Sequence, residues 1–312
     1  ETFDPHEPFF APERFRKKFK TNYSGPRLDW PQYDRVKETP DEVAELKANY
    51  FALISLCDFL LGSVLDFFDE NNLWEDTTLI LTTDHGFMLG EHDWWAKNRM
   101  PLYNEISHIP LFIYHPDYKH NNGQRRSVVT QNIDLMPTFL ENHNINIPKE
   151  VQGKSLLSFL DKEKLTNHSA LFGYWGGGVN ITDGKYTYFK YPDNMSRKDP
   201  FQYTLMPTHL RQFFTLEELK TAQMEKPFSF TKGVPVMKIK NDDKGPSIGN
   251  SNGGDNMGFV DTESALYDMI NDPGQLNKLD NENIISKMND LIYDKMIEND
   301  APKEVVNRFF KK

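Results

Sequence analysis

The sequence predicts an α/β protein, with part of a large mixed sheet flanked by helices and then a smaller α+β subdomain that carries an antiparallel sheet. Three observations carry this prediction. Thr77 to Thr83 is β-branched or aliphatic without a helical period, which reads as a short buried strand. Residues 39 to about 69 repeat apolar side chains at helical spacing. From about Asn167 the texture changes to short aromatic and glycine-rich segments, the pattern of antiparallel hairpins.

Taken in order, Thr2 to Phe15 places His6 between Pro5 and Pro8. The prolines restrict the backbone on both sides, so His6 is held in an extended loop. By itself such a histidine is more often a surface or packing residue. Residues 16–38 have no sustained period and read as a loop crossing the surface. Thr39-Pro40-Asp41-Glu42 is a helix start, with Thr39 as N-cap and Glu42 reaching back in a capping box. Val43, Leu46, Tyr50, Leu53, Ile54, Cys57, Leu60, Leu61, Val64, Leu65 and Phe68 then form one stripe, expected to be core. Cys57 belongs to that stripe and is expected to pack.

The strand at residues 77–83 stops at Asp84-His85, and Gly86 follows where the chain must turn. In open α/β sheets the carboxyl ends of strands are where ligands sit. A carboxylate is a hard oxygen ligand for Ca²⁺, Mg²⁺ or Mn²⁺, and a neutral imidazole extends the range to Zn²⁺ or Fe. Lys97 follows a loop with two glycines and two tryptophans, and it can return an ammonium to the same place. The residues alone also fit a capping Asp, a surface His and a solvated Lys. Arg99 is a candidate second anion contact.

Ile109 to Tyr114 reads as a strand, with His108 and His115 structural. Asn132 to Leu140 reads as a helix with Asp134 as N-cap and Pro137 in the first turn. Gly176 to Gly178 permits a tight turn or a close approach to a substrate. Phe201 to Arg211 is an aromatic and basic insertion in which His209 and Arg211 are candidate substrate contacts at a pocket rim. Residues 241–258 read as a polar loop, and residues 281–299 as an amphipathic helix with Ile284, Ile285, Met288, Leu291 and Ile292 inward.

Composition narrows the function classes. A net charge of −10 gives no broad basic face for nucleic acid. The single Cys57 excludes an intramolecular disulfide, which suits a reducing compartment without requiring one. No uninterrupted apolar run reaches the ~18 residues of a membrane span, and no signal peptide is recognised, so cytoplasmic and exported settings both fit.

Thr83-Asp84-His85-Gly86, Leu89-Gly90-Glu91-His92 and Ala96-Lys97 together resemble the second signature of the sulfatases, in the alkaline-phosphatase-like superfamily. Pro110-Leu111-Phe112-Ile113-Tyr114, Gly153-Lys154-Ser155-Leu156-Leu157 and Leu266-Tyr267-Asp268 with Asp272-Pro273 are similar to later family stretches in the same order. The resemblance implies that Asp84 and His85 are metal ligands and that Lys97 contacts the sulfate. Pro5-His6-Glu7-Pro8-Phe9 is similar to a family stretch whose histidine acts near the leaving group, which implies a catalytic His6 beside Lys97. By this resemblance residues 1–165 are the carboxyl-terminal portion of the catalytic domain and residues 166–312 the smaller subdomain.

The family nucleophile is a formylglycine made from Cys or Ser in C/S-x-P-x-R. In Ser24-Gly25-Pro26-Arg27 the Arg follows Pro directly, so this stretch fails the spacing. The resemblance therefore implies a divalent metal, Ca²⁺ first with Mg²⁺ or Mn²⁺ as alternatives. It further implies a formylglycine supplied by an N-terminal half and a sulfated small molecule or carbohydrate as substrate. Two rival expectations stand beside it: a phosphonate monoester or phosphodiester hydrolase, and a non-catalytic glycan-binding or docking module on the same scaffold.

Overall fold

The computed structural model describes residues 2–161, 169–174, 176–193, 195, 201–206, 208–209, 213–240 and 259–310. The chain packs as two compact units, residues 1–98 with 105–122, and residues 99–104 with 123–312. Residues 123–161, expected in the first domain, thus belong to the second unit. One bond that ties the segment to the strands after it runs from Gln131 Nε2 to the Leu171 carbonyl at 2.9 Å. The polar segment at 241–258 lies outside the described residues.

The first unit contains α1 (Glu13–Arg16), α2 (Pro40–Glu70), β1 (Leu79–Thr82), β2 (Met88–Leu89), β3 (Trp95–Ala96) and β4 (Leu111–Tyr114), with α3 (Asn104–Ser107) between β3 and β4 in sequence. Helix α2 starts where the capping box predicts: Thr39 Oγ1 accepts from Glu42 N–H, and Glu42 Oε2 accepts from Thr39 N–H at 2.8 Å. Its first half is built into a core. Phe9, Ala11 and Phe15 pack with Ala52 and Leu53, and Leu46 packs with Trp95 and Ala96.

The second half of α2 departs from the expected core stripe. Of the stripe, Ile54, Leu60 and Val64 are 39–46% exposed while Phe68 is buried, and Phe59 and Phe67 beside it are 51% and 57% exposed. Contrary to the run-length expectation, α2 is long and apolar enough, by length and composition, to cross a membrane. Strand β1 pairs antiparallel with β4, Leu79 opposite Tyr114 and Thr82 opposite Leu111, as a two-stranded sheet. The expected strand is present, but it is half-buried, not buried: Leu81 and Phe112 face outward at 40% and 65% exposure.

In the second unit, α4 (Leu135–Asn142) and α5 (Leu157–Asp161) precede a four-stranded antiparallel sheet in the order β11-β7-β6-β5. Its strands are β5 (Ala170–Gly173), β6 (Val179–Thr182), β7 (Tyr186–Lys190) and β11 (Ala265–Asp268). A second sheet, β8-β10-β9, comprises β8 (Phe201–Thr204), β9 (Gln223–Glu225) and β10 (Val236–Lys240), with α6 (Leu216–Lys220) preceding β9. Helices α7 (Glu282–Glu298) and α8 (Lys303–Phe309) end the chain. Met288, Ile292 and Met296 of α7 meet Ile181, Tyr188 and Leu266 of the four-stranded sheet, a face set by the helical period.

One cap moves. Asp134 was expected to cap α4, but it adopts helical dihedrals, and its Oδ2 instead accepts from Gln131 N–H at 2.8 Å. A short 3₁₀ turn therefore precedes α4, and Asp134 Oδ1 is free to take Lys154 N–H at 2.8 Å.

Candidate active site

The site is assembled within the first unit from three stretches far apart in sequence. His6 is presented by the proline-flanked loop, which is anchored by Phe9. That ring is 1% exposed and packs edge-on against Tyr50 and Phe87, with centroids 5.2 and 5.4 Å away. Phe9 N–H donates to the Asp29 carbonyl at 2.6 Å, and His6 N–H to that of Phe3 at 3.1 Å.

Lys97 arrives on the loop from Gly90 to Asn98, whose backbone takes an unusual path. His92, Asp93, Ala96 and Asn98 all have positive φ, 50°, 62°, 67° and 81°. Non-glycine residues adopt this region only when their surroundings impose it. Two buried tryptophans supply that constraint. Trp95 Nε1 donates to Glu38 Oε2 at 2.7 Å, and the Arg35 guanidinium lies 4.2 Å over the Trp94 ring. Trp95 N–H donates to the Asp34 carbonyl at 3.0 Å, and Val36 N–H to that of Asp93 at 3.1 Å. Residues 33–38, expected as a surface crossing, are thus a support for the loop.

These two stretches meet. Lys97 Nζ lies 3.1 Å from His6 Nε2. His6 Nδ1 lies 2.7 Å from the Glu7 main-chain carbonyl, an obligate acceptor, so the hydrogen-bond network puts the proton on Nδ1 and makes Nε2 accept from the ammonium. The Glu7 side chain, 1% exposed, lies beneath both groups: Oε2 is 3.4 Å from His6 Nδ1 and 3.9 Å from Lys97 Nζ, while Oε1 accepts from the Tyr33 hydroxyl. Burial pushes the Lys97 ammonium below the usual lysine range, and the charges of Glu7 and Asp84 partly oppose it. Burial, then the bond to Glu7, pushes the Tyr33 phenol far up.

Asp84 and His85 follow β1 after one residue, Thr83. Gly86 fixes that corner: its N–H donates to the Ile106 carbonyl at 2.9 Å, and an added Cβ would lie 2.9 Å from the Glu105 carbonyl carbon and nearer still to its oxygen. The Asp84 side chain is 82% exposed, and its Oδ1 accepts from His85 N–H at 2.9 Å. Burial raises its pKa, but His85 and the His85 N–H outweigh this, so the carboxyl lies below its ordinary value.

His85 Nδ1 donates to the Gly86 carbonyl at 2.9 Å, which leaves Nε2 facing Asp84 Oδ2 at 3.6 Å. A backbone carbonyl on one ring nitrogen is the usual way to orient the other toward a metal. The pair fits one corner of a divalent site. Among the described residues no third His, Cys, Asp or Glu joins them.

The remaining candidates lie in the second unit or outside the description. Arg99 is half-buried, and its carbonyl accepts from Val260 N–H at 3.0 Å. His209, expected at a rim, instead faces inward: its Nε2 meets Glu218 Oε1 at 2.8 Å, and both side chains are nearly inaccessible. A buried histidine paired with a carboxylate serves the packing of α6. Arg211 lies outside the described residues. Glu7 and Tyr33 were not singled out from sequence. A glutamate flanked by His6 and Pro8 next to two phenylalanines was the available signal; Tyr33 gave none.

The sulfatase family model matches residues 2–145, and that of the N-sulphoglucosamine sulphohydrolase C-terminal region matches residues 90–215. Arylsulfatase K of Xenopus laevis is 34% identical over 131 residues, 42% of this chain and 24% of that protein. The multifunctional alkaline phosphatase superfamily protein PehA of Trinickia caryophylli is 38% identical over 124 residues, 39% of this chain and 24% of that protein. The matched region is thus about a quarter of these relatives' length. Among solved structures, the putative sulfatase yidJ of Bacteroides fragilis superposes with a TM-score of 0.60 at 18% identity, covering 97% of this chain and 54% of that one, which shows the fold. Two overlapping family matches that together span residues 2–215, and the shared fold, lead to one conclusion: the chain carries a partial sulfatase-like domain.

Proposed function

We propose that this chain forms the leaving-group and metal side of a sulfuric ester hydrolase acting on a sulfated sugar or small molecule. The observation that carries the reading is the 3.1 Å approach of the buried Lys97 ammonium to His6 Nε2, two residues 91 positions apart. An ammonium can hold a sulfate oxygen, and an imidazole beside it can pass a proton to the departing oxygen. Because Nδ1 is committed to the Glu7 carbonyl, Nε2 is the relay atom: it takes a proton from the Lys97 ammonium 3.1 Å away and passes one to the departing oxygen, leaving Lys97 as the neutral amine.

Asp84 and His85 would hold a divalent ion, Ca²⁺ or else Mg²⁺ or Mn²⁺, and an ion there draws charge from sulfate oxygens. Ca²⁺ takes about six to eight oxygens, so further ligands would come from other chain. So would the formylglycine nucleophile, since residues 24–27 fail its spacing. On this reading the 312-residue chain does not turn over sulfate esters alone. Its partner is the rest of a sulfatase domain, which would cover the exposed apolar residues of α2. The match to an N-sulphoglucosamine sulphohydrolase region supports a sugar sulfate.

A second reading, a phosphonate monoester or phosphodiester hydrolase of the same superfamily, has its support in the 38% identity to PehA, which is by name a multifunctional member of the alkaline phosphatase superfamily. The test joins the chain to a formylglycine-bearing sulfatase segment and compares sulfate with phosphonate esters. Preferred sulfate turnover, reduced about 10²–10⁴-fold by His6→Ala and strongly by Lys97→Ala, is the expected result. Unchanged turnover in Lys97→Ala removes Lys97 from the site. Preferred phosphonate turnover selects the second reading. Sulfated-glycan binding without turnover of either ester would instead indicate a non-catalytic module.

A further inference from the structure

Glu7 stands outside both readings of the site, yet its surroundings are not those of a carboxylate buried for packing. Its side chain is 1% exposed, one oxygen is bound by the Tyr33 hydroxyl, and the other is buried without a hydrogen bond. Buried polar atoms are nearly always satisfied, so an orphan carboxylate oxygen calls for a reason. Oε2 faces the two reactive groups, 3.4 Å from His6 Nδ1 and 3.9 Å from Lys97 Nζ.

We propose that Glu7, clamped by Tyr33, is the positioning residue of the His6–Lys97 pair: it fixes the histidine in the Nδ1–H tautomer with Nε2 turned to Lys97, and it holds the lysine as an ammonium at that nitrogen. Both functions follow from placement. The Glu7 carbonyl takes the Nδ1 proton at 2.7 Å, and the carboxylate close behind makes the same ring edge the more negative, so a proton is favoured there and disfavoured on Nε2. The same carboxylate is the buried counter-charge of an ammonium that is only 7% exposed, whereas Asp84, the other carboxylate acting on it, is mostly in water. Tyr33 removes the remaining freedom: with Oε1 held by its hydroxyl, the carboxylate cannot swing away, and Oε2 is presented to the pair. The groups facing Lys97 are therefore His6, Glu7 and Asp84, with the Phe87 ring 5.9 Å from Nζ.

The significance of this role for turnover rests on the sulfatase reading, but the role itself is read without turnover. The experiment is ¹⁵N NMR of the intact 312-residue chain, with histidine and lysine side chains labelled, in wild type, Glu7→Gln, Glu7→Asp and Tyr33→Phe. His6→Gln and Lys97→Met assign the signals. In wild type His6 shows a protonated Nδ1 and an unprotonated Nε2, and Lys97 Nζ gives an ammonium signal that changes in His6→Gln. In Glu7→Gln the main-chain carbonyl still favours Nδ1–H, but the share of that tautomer falls below its wild-type value, and the Lys97 signal broadens into solvent exchange. Glu7→Asp restores the wild-type tautomer at least in part. Tyr33→Phe shifts both signals in the same direction as Glu7→Gln, by less.

If Glu7→Gln folds and leaves the His6 and Lys97 signals as in wild type, the proposal is wrong. If it does not fold, Tyr33→Phe decides, and unchanged signals there overturn it as well. Altered signals in a chain that shows no hydrolysis after joining to a nucleophile segment would sink the sulfatase reading and leave the positioning role standing.

Discussion

Gly86→Ala tests whether the corner that presents Asp84 and His85 is as closely packed as its geometry implies. The added methyl meets main chain, not a movable side chain: it would lie 2.9 Å from the Glu105 carbonyl carbon and 3.3 Å from Ile106 Cα. Overpacking of this kind costs about 1–3 kcal/mol. Displacing the Glu105–Ile106 segment also strains or breaks the 2.9 Å bond from Gly86 N–H to Ile106, worth about 0.5–1.5 kcal/mol. Gly86 does not have a positive φ, so alanine fits its dihedrals and regains about 0.4–1 kcal/mol through the unfolded chain. The net expectation is a destabilisation of about 0.5–4 kcal/mol, or a urea midpoint lowered by about 0.3–2 M at an m-value near 2 kcal/mol/M. Tryptophan fluorescence is a suitable readout, because Trp94 and Trp95 are buried in the same unit. An unchanged or raised midpoint would mean that residues 105–106 do not abut the corner, and the argument that glycine sets the direction of Asp84 and His85 would fail.

Phe9→Ala should cost about 3–5 kcal/mol, since it empties a fully buried ring site between Tyr50 and Phe87; a loss under ~1 kcal/mol in the same urea titration would show that the His6 loop is anchored elsewhere. Thr39→Ala removes the Oγ1 acceptor at the start of α2 and should cost about 0.5–2 kcal/mol, checked by thermal unfolding followed by helical circular dichroism. Lys97→Met tests the burial of the ammonium through pH. A lysine whose folded pKa is lowered binds fewer protons folded than unfolded, so stability rises with pH from that lowered value up to the unfolded value of about 10.4. Urea midpoints between pH 8 and 10.5 should climb more steeply in wild type than in Lys97→Met, and parallel slopes would contradict a depressed Lys97.

What could be read from the residues were features with local causes. The capping box at Thr39, the strand before Asp84 and the amphipathic face of α7 follow from periodicity and turn chemistry, whereas the approach of His6 to Lys97 is expected only through the family resemblance. The failures have physical reasons too. The stripe on α2 reads as core because period reports which residues share a face, not what covers it, and Ile54, Leu60 and Val64 are exposed. Asp134 was placed as a cap one turn late because a 3₁₀ turn ahead of α4 satisfies the same donor rule with a different residue. His209 was read as a rim contact because composition cannot tell an exposed histidine from one buried against Glu218. Tyr33 and Glu7 escaped notice because their importance depends on a contact across 26 positions that no local pattern encodes.

The direction of Lys97 illustrates how the second signature works as a physical device. A lysine side chain has four rotatable bonds and would normally place its ammonium in water, so burying it at His6 requires the backbone to do the aiming. Ala96 and Asn98, on either side of Lys97, both have positive φ, which reverses the side-chain direction that an extended chain would give. Left-handed dihedrals at non-glycine residues cost roughly 1–2 kcal/mol each, so the path persists only if something heavier imposes it. Trp94 and Trp95, at 1% and 0% exposure, provide that weight, locked by Arg35, Glu38 and the main chain at Asp34 and Val36. The two tryptophans therefore need no contact with the reacting groups to matter: substituting either should release the loop to relaxed dihedrals, and the ammonium would leave His6 Nε2 while β1 and the Asp84 corner stay in place.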